Sequence, residues 1–173
     1  MLRIRNLKNK YNKRLIRPLY AQTQATPYAA VLDDTLRDSE GTYVFDGDSF
    51  LYKGGLVPGT VMTNRGDKVL VATGAAQVPF GLLANFVGGE LDDLGDEDYV
   101  GVWRGPDSVF EILAPGFDDT GLSAAWDAAV QGNPVELYAG ADGRLTQVST
   151  STVVVAHLIE RPAASRIVVD LKV

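Results

Sequence analysis

The single histidine is the first residue to consider for catalysis. His157 lies in an apolar run, residues 153 to 159, that has the composition of a β-strand. A histidine base needs a nucleophile and an orienting acid beside it, and the neighbouring residues supply neither. We therefore interpret His157 as structural. Since cysteine is absent and histidine occurs once, disulfides, thiolate chemistry and multi-histidine zinc sites are excluded.

Acidic residues form the second group of candidates. Residues 92 to 98 offer oxygen ligands for calcium, although they lack the alternating spacing of an EF-hand loop. Asp46 and Asp48, together with Asp118 and Asp119, could in principle flank a glycosidic bond as paired carboxylates. We favour a solvated loop for the first group, and hairpin turns and a helix cap for the second. The sequence therefore predicts neither catalysis nor a cofactor.

Two further motifs are interpreted as turns. The glycines at 54–55, 59 and 88–89 precede neither a lysine-bearing phosphate loop nor a strand-to-helix dinucleotide turn. The tripeptide Arg65-Gly66-Asp67 matches a receptor-binding motif, but it also forms an ordinary turn between two β-rich runs. We favour the turn.

Charge is distributed unevenly along the 173 residues. Positions 1 to 32 hold seven of the 16 basic residues and none of the 22 acidic residues. A block of like charge is typical of a solvated interaction arm that seeks an acidic partner. Interleaved leucine, isoleucine and tyrosine favour a protein surface, and we expect residues 1 to 20 to be extended and dispensable for folding. The predicted docking residues are Arg3, Arg5, Lys8, Lys10, Tyr11, Lys13, Arg14 and Arg17.

The composition of the chain predicts a soluble all-β protein. Apolar residues make up 46% and charged residues 22%, while 18 glycines and eight prolines favour many chain reversals over long helices. No run approaches the roughly 18 apolar residues of a membrane span, and no apolar stretch follows Arg3 and Arg5 as in a signal peptide. We expect no membrane partner.

Short β-rich runs recur about every ten residues and indicate a small antiparallel β-barrel or sandwich, because closure of a sheet removes its exposed edges. We divide the chain into an extended basic N-terminal arm and linker, residues 1–41, and a β-rich body, residues 42–173. Residues 21 to 41 are expected to pack along a surface outside any sheet. The predicted strands are residues 42–45, 49–52, 59–63, 68–73, 80–87, 99–104, 109–113, 134–139, 145–148, 153–159 and 166–173. Asp-Gly turns at 46–47 and 142–143 are expected to close hairpins.

One short helix is predicted at residues 122 to 131. Asp118, Asp119 and Thr120 are its capping candidates, and Gly132 is the expected stop. Helical spacing places Leu122, Trp126 and Val130 on one buried face.

Residues 50 to 173 resemble the small capsid decoration, or cement, proteins of tailed-phage heads. The resemblance rests on the segments GGLVPGTV at 54–61, VPFGLLA at 78–84, NPVELY at 133–138 and DGRLT at 142–146, with the ending RIVVDLKV at 166–173. It implies a non-enzymatic structural protein on the outer surface of the virion capsid. Its implied partner is the major capsid protein, and its implied form is a homo-oligomer, with a trimer as first choice because the family clusters at local three-fold sites.

Two other functions remain open from the sequence. The arm could instead bind nucleic acid in a coat or scaffold protein, which the acidic body disfavours. A head-fibre or tail base component is the third possibility.

Overall fold

The computed structural model describes residues 15–20, 27–73, 77–95, 97–149, 152–163 and 165–173 of the chain. Within these ranges, eleven strands form two sheets, and one α-helix, α1 (Leu122–Ala128), links two strands. Short 3₁₀ helices occur at Asp34–Leu36 and Gly89–Leu91. Among the residues described, no helix has both the length and the apolar character to cross a membrane.

Five strands from the first half of the chain close into a barrel. They are β2 (Tyr28–Leu32), β3 (Val61–Arg65), β4 (Lys68–Val71), β5 (Pro79–Leu83) and β6 (Tyr99–Trp103). Around the barrel the order is β2, β4, β3, β5 and β6, and β6 returns to pair with β2. β2 runs parallel to β4, and the other pairs are antiparallel.

The remaining strands form an antiparallel six-stranded sheet. They are β1 (Ile16–Tyr20), β7 (Ser108–Leu113), β8 (Val135–Ala139), β9 (Leu145–Thr146), β10 (Ala156–Leu158) and β11 (Arg166–Leu171). Their order is β1, β7, β11, β10, β8 and β9, so the first strand in sequence lies at one edge.

One apolar core joins the barrel to the sheet, and a second fills the barrel. Trp103 on β6 contacts Phe110 on β7 with ring centroids 5.2 Å apart, and both residues are buried. Val100 and Val102, on the opposite face of β6, belong to the core inside the barrel. Side chains on the two faces of β6 therefore pack into the two different cores.

The predicted all-β class with one short helix is confirmed, and β3 to β11 coincide with predicted runs. The predicted Asp-Gly hairpin at 142–143 connects β8 to β9 as expected. The parallel pairing of β2 with β4 departs from the expected antiparallel barrel. Such a pair needs a long crossover, and the connection that leaves β2 and includes β3 provides it.

Two predictions about residues 21 to 52 are wrong. Residues 28–32 lie within the barrel as β2, not outside the sheets, because Ala30 and Leu32 are buried in its core. The runs at 42–45 and 49–52 do not form a hairpin. Tyr43 instead pairs with Arg37, and the Phe50 amide donates to the Asp142 carbonyl at 2.8 Å.

The helix is shorter than predicted. It begins after Gly121, which occupies the N-cap position without a side-chain hydrogen bond, so the predicted acidic caps are wrong. It ends at Ala128, before Gly132, because Ala129 adopts an extended conformation. Leu122 is buried and Trp126 is half-buried, but Val130 lies beyond the helix and is 67% exposed.

Candidate functional site

The base of the basic N-terminal segment is part of the sheet. The Leu113 amide donates a 2.7 Å hydrogen bond to the Leu15 carbonyl, and Ile16 lies opposite Ile112 in the register of β1 and β7. Ile16 is completely buried. Pro18 is tolerated because β1 is an edge strand, where a missing N–H can face solvent. Residues 15–20 therefore fix the point at which the preceding basic residues join the folded body.

An ionic cluster on the sheet holds this base. Arg17 Nε donates a 2.7 Å hydrogen bond to Oε1 of Glu111, and Arg166 Nε donates one of the same length to Oε2. The Glu111 side chain is only 10% exposed. Arg166 also donates to Glu160 at 3.1 Å. The hydrogen bonds from Arg166 and Arg17 lower the pKa of Glu111 below its ordinary value of 4.5, and burial opposes them. Glu111 is therefore held as a carboxylate between two cations.

The structure places one of the predicted docking residues. Arg17 lies on β1 in an ion pair with Glu111, although its side chain remains 55% exposed. The other seven lie outside the described residues: Arg3, Arg5, Lys8, Lys10, Tyr11, Lys13 and Arg14. Burial of Ile16 argues against the expectation that residues 1 to 20 are dispensable for folding, because this residue belongs to the core that the barrel and sheet share.

Glu111 and Arg166 were missed by the sequence analysis. Glu111 interrupts the otherwise apolar run of β7, and Arg166 begins the alternating pattern of β11. A buried acid in a strand is a signal that could have been noticed, because such a residue needs a cation. Its partners could not be named from the sequence, since they lie 94 and 55 residues away.

The predicted catalytic candidates do not assemble into a site. His157 lies half-buried on β10, with Glu136 and Asp170 as its cross-strand neighbours. In the described part of the chain, no group of three or more histidine, aspartate or glutamate residues could hold a metal ion.

The acidic segment 92–98 uses its carboxylates to close loops. Asp92 accepts hydrogen bonds from the amides of Gly88 and Gly95, at 2.8 and 2.7 Å. Asp93 accepts from the Phe86 amide at 2.8 Å, and Asp98 pairs with Arg37 at 2.9 Å. These contacts give loop-closing roles to three of the acids in this segment, and Asp96 lies outside the described residues.

The other acidic candidates also stabilise turns. Asp46 accepts a hydrogen bond from the Asp48 amide at 3.3 Å. Asp118 accepts from the side chains of Thr120 and Thr146, at 2.7 and 3.2 Å. Burial raises the pKa of Asp118, but these hydrogen bonds outweigh it and the net shift is downward.

Gly66 and Asp67 of the tripeptide form the turn between β3, which ends at Arg65, and β4, so the predicted turn is present. Its arginine lies 3.8 Å from Asp33, a carboxylate just after β2. The Asp33 pKa is lowered, chiefly by hydrogen bonds from Thr35. An ion pair between Arg65 and Asp33 therefore links the start of this turn to the end of β2.

The described residues thus form a β-rich fold of a barrel and a sheet, and the basic segment joins it at one sheet edge. The chain belongs to the phage cement protein family, whose model matches residues 1–173, the whole chain. It is therefore a capsid decoration protein of a bacteriophage. Comparisons with curated proteins and with solved structures gave no match.

Proposed function

We propose that this chain binds the outer face of the head shell through the major capsid protein and stabilises the shell lattice. In this proposal the chain has no enzymatic activity, and it acts as a homo-oligomer, with a trimer as the expected form. The basic residues ahead of β1 are its tether to the shell. The alternatives are a coat or scaffold protein that binds nucleic acid and a head-fibre or tail base component.

One observation carries the proposal: the basic segment starts from a fixed point on the folded body. Ile16 is buried and Arg17 is held by Glu111, so residue 15 has a defined position at the sheet edge. Six basic residues and no acidic residue precede it in the sequence. A tether with a fixed base raises the local concentration of its charges at a surface that the body has already contacted.

The charge of the body supports an acidic partner for the tether. After position 32, the chain has 22 acidic and nine basic residues. An acidic body would be repelled by an acidic shell, and a basic segment would offset this repulsion. The same reasoning disfavours nucleic acid as the main partner, because the body would be repelled by phosphates as well.

The test compares the full chain with a truncation that starts at residue 15, using undecorated heads of the phage. Truncation should weaken binding by about 100-fold, the lower end of tether effects. Added salt should weaken the full chain more than the truncated chain, because exposed charges are screened over about 8 to 10 Å at 0.1 to 0.15 M.

A charge-matched control separates the tether from net charge alone. Arg3, Arg5 and Lys8 are changed together to glutamine in one variant, and Lys53, Arg65 and Arg161 in another. Only the first should lose affinity for the shell. Equal losses would contradict the tether, and tight salt-sensitive binding of the full chain to free DNA would support the nucleic-acid alternative.

A further inference from the structure

One wall of the barrel carries a single charge. β2, β5 and β6 are neighbours around the barrel, and none of their residues is charged. Arg104, which directly follows β6, is the only charged residue in the segments 18–32, 77–89 and 99–106. In a chain with 22 acidic residues, this wall is an exception.

The Arg104 side chain rests on two aromatic rings. Its guanidinium carbon lies 4.1 Å from the ring centroid of Phe80 and 6.0 Å from that of Tyr28. The two rings contact each other edge to face, with centroids 5.6 Å apart. A guanidinium stacked on rings keeps its hydrogen-bond donors free at its edge, so Arg104 is pre-oriented for a carboxylate.

Arg104 is one of two cations without an acidic partner among the described residues. Within the described ranges, eight arginines and lysines lie within 4.0 Å of a carboxylate oxygen: Arg17, Arg37, Arg65, Lys68, Arg144, Arg161, Arg166 and Lys172. Arg104 and Lys53 have no such contact among the described residues. Lys53 lies 5.9 Å from the Tyr52 ring, in a turn rather than on a barrel wall.

One of the two rings beside the cation is itself exposed. Tyr28 is 47% exposed. Of the two acids nearest to Arg104 in sequence, one pairs with another cation and the other lies at the opposite end of β6. Asp107 pairs with Lys172 at 3.2 Å. Asp98 precedes Arg104 by six positions, with the five residues of β6 between them, a separation of about 20 Å at about 3.3 Å per residue.

We propose that Arg104, Tyr28 and Phe80 form the surface through which the folded body binds an acidic loop of the capsid shell protein. This inference rests on the proposed binding to the shell. A carboxylate of the loop accepts hydrogen bonds from Arg104, and an adjacent apolar side chain packs on Tyr28. Binding hot spots are typically enriched in arginine and tyrosine at the centre of a contact, and the groups around them exclude water.

The basic tether and the family favour the shell as the occupant, because the segment ahead of β1 is basic and the chain is a phage cement protein. In the proposed function the tether binds an acidic shell surface, and the uncharged wall is where the acidic body can approach that surface without repulsion. Arg104 and the tether then contact the same kind of surface. Self-association through this wall is the alternative that the test must detect.

The test uses the full-length chain with three single substitutions and undecorated heads. Arg104→Glu should weaken shell binding by about 30-fold or more, the size of a hot-spot loss. Arg104→Lys keeps the charge but loses the planar donors, and it should weaken binding to a smaller extent. Lys53→Gln, the matched control, removes the other cation without an acidic partner and should bind like the wild type.

Thermal melting and sedimentation separate the possible outcomes. All three variants should melt close to the wild type, because Arg104 and Lys53 are at least partly exposed and contribute no buried ion pair. Wild-type affinity for Arg104→Glu would overturn this inference and leave the proposed function standing. Loss of self-association in Arg104→Glu, with unchanged shell binding, would assign the wall to a contact between copies and also overturn it. Failure of the wild type itself to bind heads would contradict the proposed function instead.

Discussion

Arg17 and Glu111 form a 2.7 Å ion pair between the edge strand β1 and its neighbour β7. Because Glu111 is buried and also binds Arg166, it connects the base of the basic segment to the centre of the sheet. The point at which the segment joins the sheet is therefore tied to a charge that the fold has to neutralise.

Glu111→Gln should lower the free energy of unfolding by about 1.5 to 3 kcal/mol, the range for hydrogen bonds to charged groups. The neutral amide weakens both arginine contacts. Urea denaturation measures the change. The control is Glu160→Gln, which removes an exposed partner of the same Arg166 and should cost less than about 1 kcal/mol. Similar losses in the two variants would show that burial of Glu111 is unimportant.

Stability should also fall in acid partly through Glu111. Its pKa in the folded protein is lowered, by Arg166 first and then by Arg17, so the unfolded chain takes up a proton at higher pH. The contribution of Glu111 is complete above its ordinary pKa of 4.5 and is lost as the pH falls through the lower folded value. Measured by urea denaturation from pH 7 to pH 3, Glu111→Gln should lose less stability than the wild type; parallel profiles would contradict this.

Truncation should separate the tether from the strand. A chain that starts at residue 15 keeps the buried contacts of β1, so its melting temperature should stay near that of the full chain. A chain that starts at residue 21 loses Ile16 and should melt well below it. Ile16→Ala alone should cost about 2 to 5 kcal/mol, as for other fully buried isoleucines. Equal melting temperatures for all three would show that β1 contributes nothing to folding.

The two ends of the predicted helix should respond differently to substitution. Leu122→Ala should cost about 2 to 5 kcal/mol, because Leu122 is buried in the shared core. Val130→Ala should change stability by no more than about 0.5 kcal/mol, as at other exposed positions. Trp126→Ala should fall below the roughly 3 to 5 kcal/mol of a fully buried tryptophan. A large loss at Val130 in chemical denaturation would mean that the helix continues as the sequence suggested.

Gly55 and Gly88 allow two loops to meet backbone to backbone. A Cβ on Gly55 would lie 2.0 Å from the Gly88 carbonyl oxygen, next to the paired residues Leu56 and Val87. Gly55→Ala should therefore cost about 1 to 3 kcal/mol, the range for overpacking. Gly47→Ala is the control, because no atom lies within 4 Å of a Cβ there. Thermal melting of both variants gives the comparison, and an unaffected Gly55→Ala would show that the loops can separate freely.

Local patterns were sufficient for most of the strands. β11 alternates cleanly, with Ile167, Val169 and Leu171 in the core, and such alternation depends only on neighbours in sequence. The helix was found for the same reason, but its end was not. Ala129 leaves the helical conformation at a residue that has high helix propensity, so tertiary structure overrides the local preference there.

The sequence alone determined the all-β class, most strand positions and the basic segment, because composition, alternation and charge are properties of short stretches. Tertiary structure decided that residues 16–20 and 28–32 are strands, since β1 contains a proline and pairs with a strand more than 80 residues away. It also decided which cations are neutralised. Arg17 meets Glu111 across the sheet, whereas Arg104 meets only aromatic rings. Pairing between distant strands fixes these partners, and no local pattern encodes it.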